Sequence, residues 1–239
     1  MRTLLLIVFV TRTQIQSSAG PFENLGFDEA QTNNIQTIQL GGPNDKICRG
    51  LTKEMLPYWE LYRGTTLETN TGLNMLLPGT STGWATLINE SEKSMIPVEG
   101  IYSLLLTPGY DIRGDMSYIP MSLIQIGLIP SEARTVHFMN FGSTFELRLN
   151  GSLVPLVYID RGFNPVNPQL RWADGIGEIS AYAGQEVEMK FTSLRTTLSV
   201  YNGIDSIYFS IEPIPEPAGM VLFSLGGLLL ASKCWRMKA

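Results

Sequence analysis

The stretch "TFELRLNGSLVPLVYI", residues 144–159, restricts the fold more than any other part of the chain. Phe145, Leu147 and Leu149 alternate with Thr144, Glu146 and Arg148. A period of two places one set on each face of a strand. Asn150-Gly151 follows, a pair suited to the left-handed turn of a tight hairpin, and an apolar run returns. Pro155 interrupts the return, so that strand reads as an edge or a bulge.

The same alternation recurs. In "EVEMKF", Val187, Met189 and Phe191 form one side while Glu186, Glu188 and Lys190 form the other. "GIYSLLL", "RTVHFMNF" and "SIYFSIE" have the same character. Outside the C-terminal tail no segment carries a long 3.6-residue period. Many short strands separated by Gly, Asn and Pro predict an all-β fold, a sandwich or jelly roll, in one domain over residues 20–212. "TNTGLNMLLPGTSTG", from Thr69 to Gly83, reads as a loop-rich surface excursion. No internal repeat is visible.

The two ends read differently from the body. Arg2, the apolar run Leu4 to Val10, and the small residues Ser17 and Ala19 predict a signal peptide over 1–19, cut after Ala19. Its apolar run is too short to span a membrane. At the other end Ala218 to Ala231 is apolar apart from Ser224 and glycines. That is about 14 residues, or about 21 Å of helix, against the roughly 20 residues of an independent span. Lys233, Arg236 and Lys238 follow, with Trp235 among them. The positive-inside rule then keeps the extreme C-terminus in the cytoplasm and the body outside, with membrane contact through this hydrophobic helix.

Composition removes several classes of function. The net charge of −5, with 16% charged residues, offers no basic stripe for nucleic acid. Two cysteines, Cys48 and the tail's Cys234, give no disulfide framework, and one histidine, His137, leaves no zinc pattern. No nucleophile elbow, P-loop, dinucleotide fingerprint or metalloprotease helix is present. His137 lies inside an alternating strand and reads as a structural histidine, so the body is not expected to be an enzyme. Sugar binding needs aromatic faces with amides and carboxylates around them. Trp59, Tyr62, Trp84 and Trp172 are the candidates. Trp59, in "LPYWELY", reads first as core; Trp84 and Trp172 lie in Gly- and Asp-rich surroundings better suited to a ligand.

Two resemblances add to this. Pro215, Glu216 and Pro217, the apolar segment with Gly226-Gly227, and the basic end resemble the PEP-CTERM sorting signal of Gram-negative bacteria. The resemblance covers the tail, 213–239, and implies sorting by an exosortase, a transpeptidase-like membrane protein, in an envelope rich in exopolysaccharide. The basic cluster here is interrupted by Cys234, Trp235 and Met237, which leaves open whether the tail is processed or remains as an anchor. Within the body, "EISAYAGQEVEMKF", "MSLIQIGLIPSEARTVHF", the opening "FENLGFDEA" and the closing "IDSIYFS" resemble galactose-binding-like jelly rolls. That resemblance implies an opening strand at "FENLGFDEA", carbohydrate binding rather than catalysis, and a structural cation, Ca²⁺, between Asp28 and Asp205. Ser206 stands where many relatives carry a second Asp. The bland alternative is that Asp28 caps a turn and Asp205 accepts backbone N–H bonds.

The expectation is an exported, non-enzymatic surface or matrix protein that binds polysaccharide. The alternatives are a secreted glycan-acting hydrolase and a structural matrix protein without a ligand.

Overall fold

Asn150 and Gly151 take φ values of 49° and 78°, so both turn residues are left-handed and the hairpin closes with Leu149 opposite Ser152. This is the local geometry that an Asn-Gly pair favours. The computed structural model describes residues 20–39, 46–75, 83–89, 99–110, 118–142, 144–164, 171–193 and 202–214. The signal peptide over 1–19 and the sorting triplet Pro215, Glu216 and Pro217, with the apolar tail, lie outside the described residues. Among the described residues no helix is long and apolar enough to cross a membrane.

Two sheets carry the fold. The larger has nine strands, in spatial order β1 (Gln36–Gln39), β2 (Lys46–Leu51), β5 (Asn70–Leu73), β6 (Trp84–Asn89), β7 (Tyr102–Thr107), β17 (Asn202–Ser210), β11 (Thr135–Gly142), β15 (Arg171–Glu178) and β14 (Leu156–Phe163). The smaller has six: β13 (Ser152–Val154), β12 (Phe145–Leu149), β16 (Glu186–Ser193), β10 (Met121–Leu128), β3 (Glu60–Arg63) and β4 (Thr66–Leu67). A ribbon of β8 (Gly109–Tyr110) and β9 (Tyr118–Ile119) lies apart, and the one α-helix described, α1 (Thr52–Met55), is a single turn.

Between the sheets lies one apolar core. The six-stranded sheet contributes Phe145, Leu147, Leu149, Val187, Met189, Phe191 and Leu123. The nine-stranded sheet contributes Leu87, Leu104, Leu106, Val136, Phe138 and Ile204. Phe138 meets Phe145 and Phe191 edge-to-face, with centroids 6.2 and 5.1 Å apart, an arrangement that the ring quadrupoles favour. This is an all-β sandwich, and the alternation in β12 and β16 faces the core as the sequence predicts.

Pro155 does more than mark an edge. It separates β13, at the rim of one sheet, from β14, at the rim of the other. Proline donates no ladder hydrogen bond, so the chain leaves the first sheet there and continues in the second.

Two expectations change. "FENLGFDEA" forms turns rather than an opening strand. Asn24 and Phe27 have φ of 49° and 62°, and the Asn24 side chain accepts from Glu29 N and donates to the Pro57 carbonyl. Those bonds compete with strand pairing, leaving an isolated bridge between Pro21 and Leu128. Within the excursion from Thr69 to Gly83, Asn70–Leu73 is a strand, paired in parallel with β6.

Candidate functional site

Alternation divides the nine-stranded sheet into a core face and an outer face. A Cβ placed on Gly50 would touch Met55 of the core, so its neighbour Arg49 faces outward. A Cβ on Gly175 would lie 2.3 Å from Phe138, which puts Trp172 outward as well. Cross-strand pairing then joins one lateral row over the outer face: Arg49, Gly72, Thr86, Leu105, Gly203, Phe141 and Trp172. Trp84 sits two residues before Thr86 on the same side.

Two glycines in the row make room for rings. A Cβ on Gly203 would lie 1.9 Å from the Phe141 ring, and one on Gly72 would lie 2.7 Å from the Trp84 Nε1. The aromatic rings therefore lie flat on bare backbone rather than standing away from the sheet. Leu105, Ile88 and Ile176 are buried on this face although they are no part of the inter-sheet core.

Three side-chain donors on the described residues are buried without a hydrogen-bond partner: Arg49 Nε, Trp84 Nε1 and Trp172 Nε1. All three belong to this one face. A buried N–H without an acceptor costs about 1–3 kcal/mol, so such groups are normally scarce and seldom grouped. Trp84 and Trp172 are separated by four strand spacings, about 19 Å at about 4.8 Å each.

The other predicted residues separate. Trp59 is core: it is 4% exposed, stacks against Phe27 at 5.9 Å, and donates Nε1 to the Asn24 carbonyl. Tyr62 lies on the outer face of the opposite sheet, where its hydroxyl donates to Glu60 Oε2 at 2.9 Å. Sequence reasoning therefore grouped four aromatics that the fold distributes over three places. It missed Arg49, whose only sequence signal was its position next to a core-facing glycine.

Asp28 and Asp205 do come together, in a cleft of about 430 Å³ also lined by Glu99, Gly100, Ser206 and Tyr208. A bulge at Ser206 (φ 48°) directs Asp205 and Tyr208 to the same side. Asp28 Oδ1 accepts from the backbone of Ile101 and Tyr102, at 2.7 and 3.1 Å. Asp205 Oδ2 accepts from Ser103 Oγ at 2.6 Å and Glu99 N at 3.1 Å, and Oδ1 accepts from Ser206 N at 2.7 Å. N–H and O–H donors thus occupy positions a hard cation would need, and Ca²⁺ takes six to eight oxygens. Among the described residues no group of three or more His, Cys, Asp or Glu could hold a metal. In this structure the pair acts as two hydrogen-bonded latches on the 99–103 segment. Burial pushes the Asp205 carboxyl up to about 7, and the charge of Asp28 adds to it, while the hydrogen bonds pull less strongly the other way.

His137 stacks on Tyr208 at 4.8 Å, and its Nε2 is 2.9 Å from Thr135 Oγ1. Burial lowers its pKa. Its neighbour Asp174 is ion-paired with Arg161. Cys48 is a free thiol on β2, beside Thr37 Oγ1.

No family model, no curated protein and no solved structure matches this chain.

Proposed function

We propose that this is an exported, non-enzymatic protein of the cell surface or matrix of a Gram-negative bacterium, whose body binds polysaccharide. In this reading the sandwich is a jelly roll of galactose-binding-like type. The tail at 213–239 is a PEP-CTERM-like signal, engaged by an exosortase and held in the inner membrane at least for a time.

The observation that carries the binding reading is the grouping of the three partnerless donors, Arg49, Trp84 and Trp172, on one sheet face. All three offer N–H and none offers an acceptor. Their complement is a ligand dense in oxygen acceptors, and a hydroxyl- or carboxylate-bearing glycan is such a ligand. Aromatic rings on the same face supply the apolar surface that a pyranose face covers. Aromatic and donor groups spread over four strand spacings suit a chain better than a single sugar.

Affinity electrophoresis of the protein through gels containing neutral and acidic exopolysaccharides tests this. Retardation is expected, reduced at least about tenfold by Trp84→Ala or Trp172→Ala. Equal mobility in every gel would leave the alternative of a structural matrix protein without a ligand. The sorting reading is tested separately. Glu216→Ala should block maturation of the tail, and normal processing of that variant would leave a plain anchor.

A further inference from the structure

On the opposite side of the sandwich a groove of about 280 Å³ runs over the six-stranded sheet, between Tyr58, Tyr62, Ile124, Ile126, Glu60 and Glu188. Register explains its composition. Ile124 lies opposite Glu60 on β3, and Ile126 lies opposite Glu188 on β16, so each apolar side chain has a carboxylate for a neighbour. Ile126 is 60% exposed, and Tyr58, in the turn before β3, is 56% exposed.

Tyr58 is also held in an unfavourable backbone state, with φ of 71°. A bulky non-glycine residue rarely adopts this region, and the conformation costs on the order of 1–3 kcal/mol. The adjacent Trp59 is fixed in the core through its bond to Asn24, so the strain sits on the residue that presents its ring to the groove.

The groove carries negative charge without internal compensation. Glu23 is hydrogen-bonded to the Tyr58 hydroxyl and raises its pKa, with Glu29 adding to the effect. Glu60 does the same to Tyr62, and Glu188 adds to it. None of these four carboxylates forms an ion pair with Lys or Arg among the described residues. Lys190, opposite Ile124, is the cation that the register brings closest on this face, and among the described residues it forms no ion pair either. Two electron-rich rings beside uncompensated carboxylates form an environment for an organic cation: the ring faces attract it through their quadrupoles and the carboxylates through hydrogen bonds and charge.

We infer that this groove binds a protonated amino sugar, so that the body takes a polymer of free-amine glycosyl units on the face opposite the tryptophans. An ammonium on a pyranose satisfies both halves of the groove. The charge meets Glu60 and Glu188 while the ring's C–H face covers Tyr58 and Ile126. This goes beyond the glycan reading of the nine-stranded sheet and does not depend on it.

Calorimetric titration of the intact protein with a β-1,4-linked glucosamine tetramer tests the assignment, in a buffer acidic enough to keep the amines protonated. Binding is expected, weakened at least about tenfold in Tyr58→Ala and in Glu188→Gln, and at least about tenfold for the fully N-acetylated tetramer. Added salt should weaken it further. Tyr62→Phe, which keeps the ring and frees Glu60, should retain binding within about threefold. Trp84→Ala should leave it unchanged, so failure of the other face and failure of this groove are read separately. Equal binding of the two tetramers would overturn the assignment, as would tetralysine binding as tightly as the glucosamine tetramer. Indifference to both Tyr58→Ala and Glu188→Gln would also overturn it. Unaltered melting of the Tyr58→Ala protein excludes unfolding as the cause of a loss.

Discussion

The two outer faces of the sandwich are built from the same alternating strands and end in opposite chemistry. On the nine-stranded sheet the side turned away from the core still buries Leu105, Ile88, Phe141 and Ile176, and its orphan polar groups are donors. On the six-stranded sheet the corresponding side exposes Ile126 and carries carboxylates, tyrosine hydroxyls and the Arg148–Glu146 ion pair. Facing outward therefore does not decide whether a residue is wet. Glycines in the first sheet bring rings down onto the backbone, whereas the second presents long charged side chains.

The sharpest way to break this contrast is to fill the space beneath a ring. Gly203→Val should cost at least about 3 kcal/mol by displacing Phe141, read as a lower midpoint in urea with an unchanged slope. An unaltered midpoint would mean that the ring does not rest on the backbone. Leu105→Ala should cost about 3 kcal/mol, because Leu105 has no exposed surface although it lies outside the inter-sheet core.

The next effect depends on pH. Asp205 titrates near 7 in the folded protein and near 4 when unfolded, so the folded state holds the extra proton between those values. Its contribution to stability is fully present below about pH 4 and is lost as pH rises through about 7. Thermal melts should show a decline on the order of 4 kcal/mol across that window, and Asp205→Asn should flatten it whatever the absolute stability of the variant. A flat profile in the wild-type protein would remove the buried-carboxylate account. The smallest effect is expected on the second face, where Ile126→Ser should change stability by less than about 0.5 kcal/mol. A larger loss there would show that its exposed apolar row is covered in solution.

Much of the fold was legible because period-two patterns and an Asn-Gly turn act locally. β12 and β16 declare their core faces in five and eight residues. The strand at Asn70–Leu73 did not, because "NTGL" has neither β-branched density nor alternation, and its pairing with β6 is imposed by tertiary contacts. The opening segment misled for a related reason: side-chain bonds from Asn24 replaced ladder bonds that the resemblance implied. For the sites, the sequence could nominate Asp28 with Asp205, which line one cleft, and Trp84 with Trp172, which lie on one sheet face four strand spacings apart. It could not show that both carboxylates accept hydrogen bonds from residues 99–103. Nor could it separate Tyr62 from the tryptophans, because strand order decides which sheet a residue joins, and strand order is a long-range property.

The position of β17 bears on how the chain reaches its folded state. It is the last strand described, yet it lies in the middle of the larger sheet, between β7 and β11. Without it, β1, β2, β5, β6 and β7 on one side and β11, β15 and β14 on the other would have no strand to join them. The hydrogen bond from Glu99 to Asp205 closes over 106 positions of chain. Such non-local closure is slow, because loop entropy is lost before the contacts that reward it are made. A chain that emerges N-terminus first must therefore wait for β17 before the larger sheet can be completed. Until then its open edges are the surface most prone to pairing with a neighbouring chain.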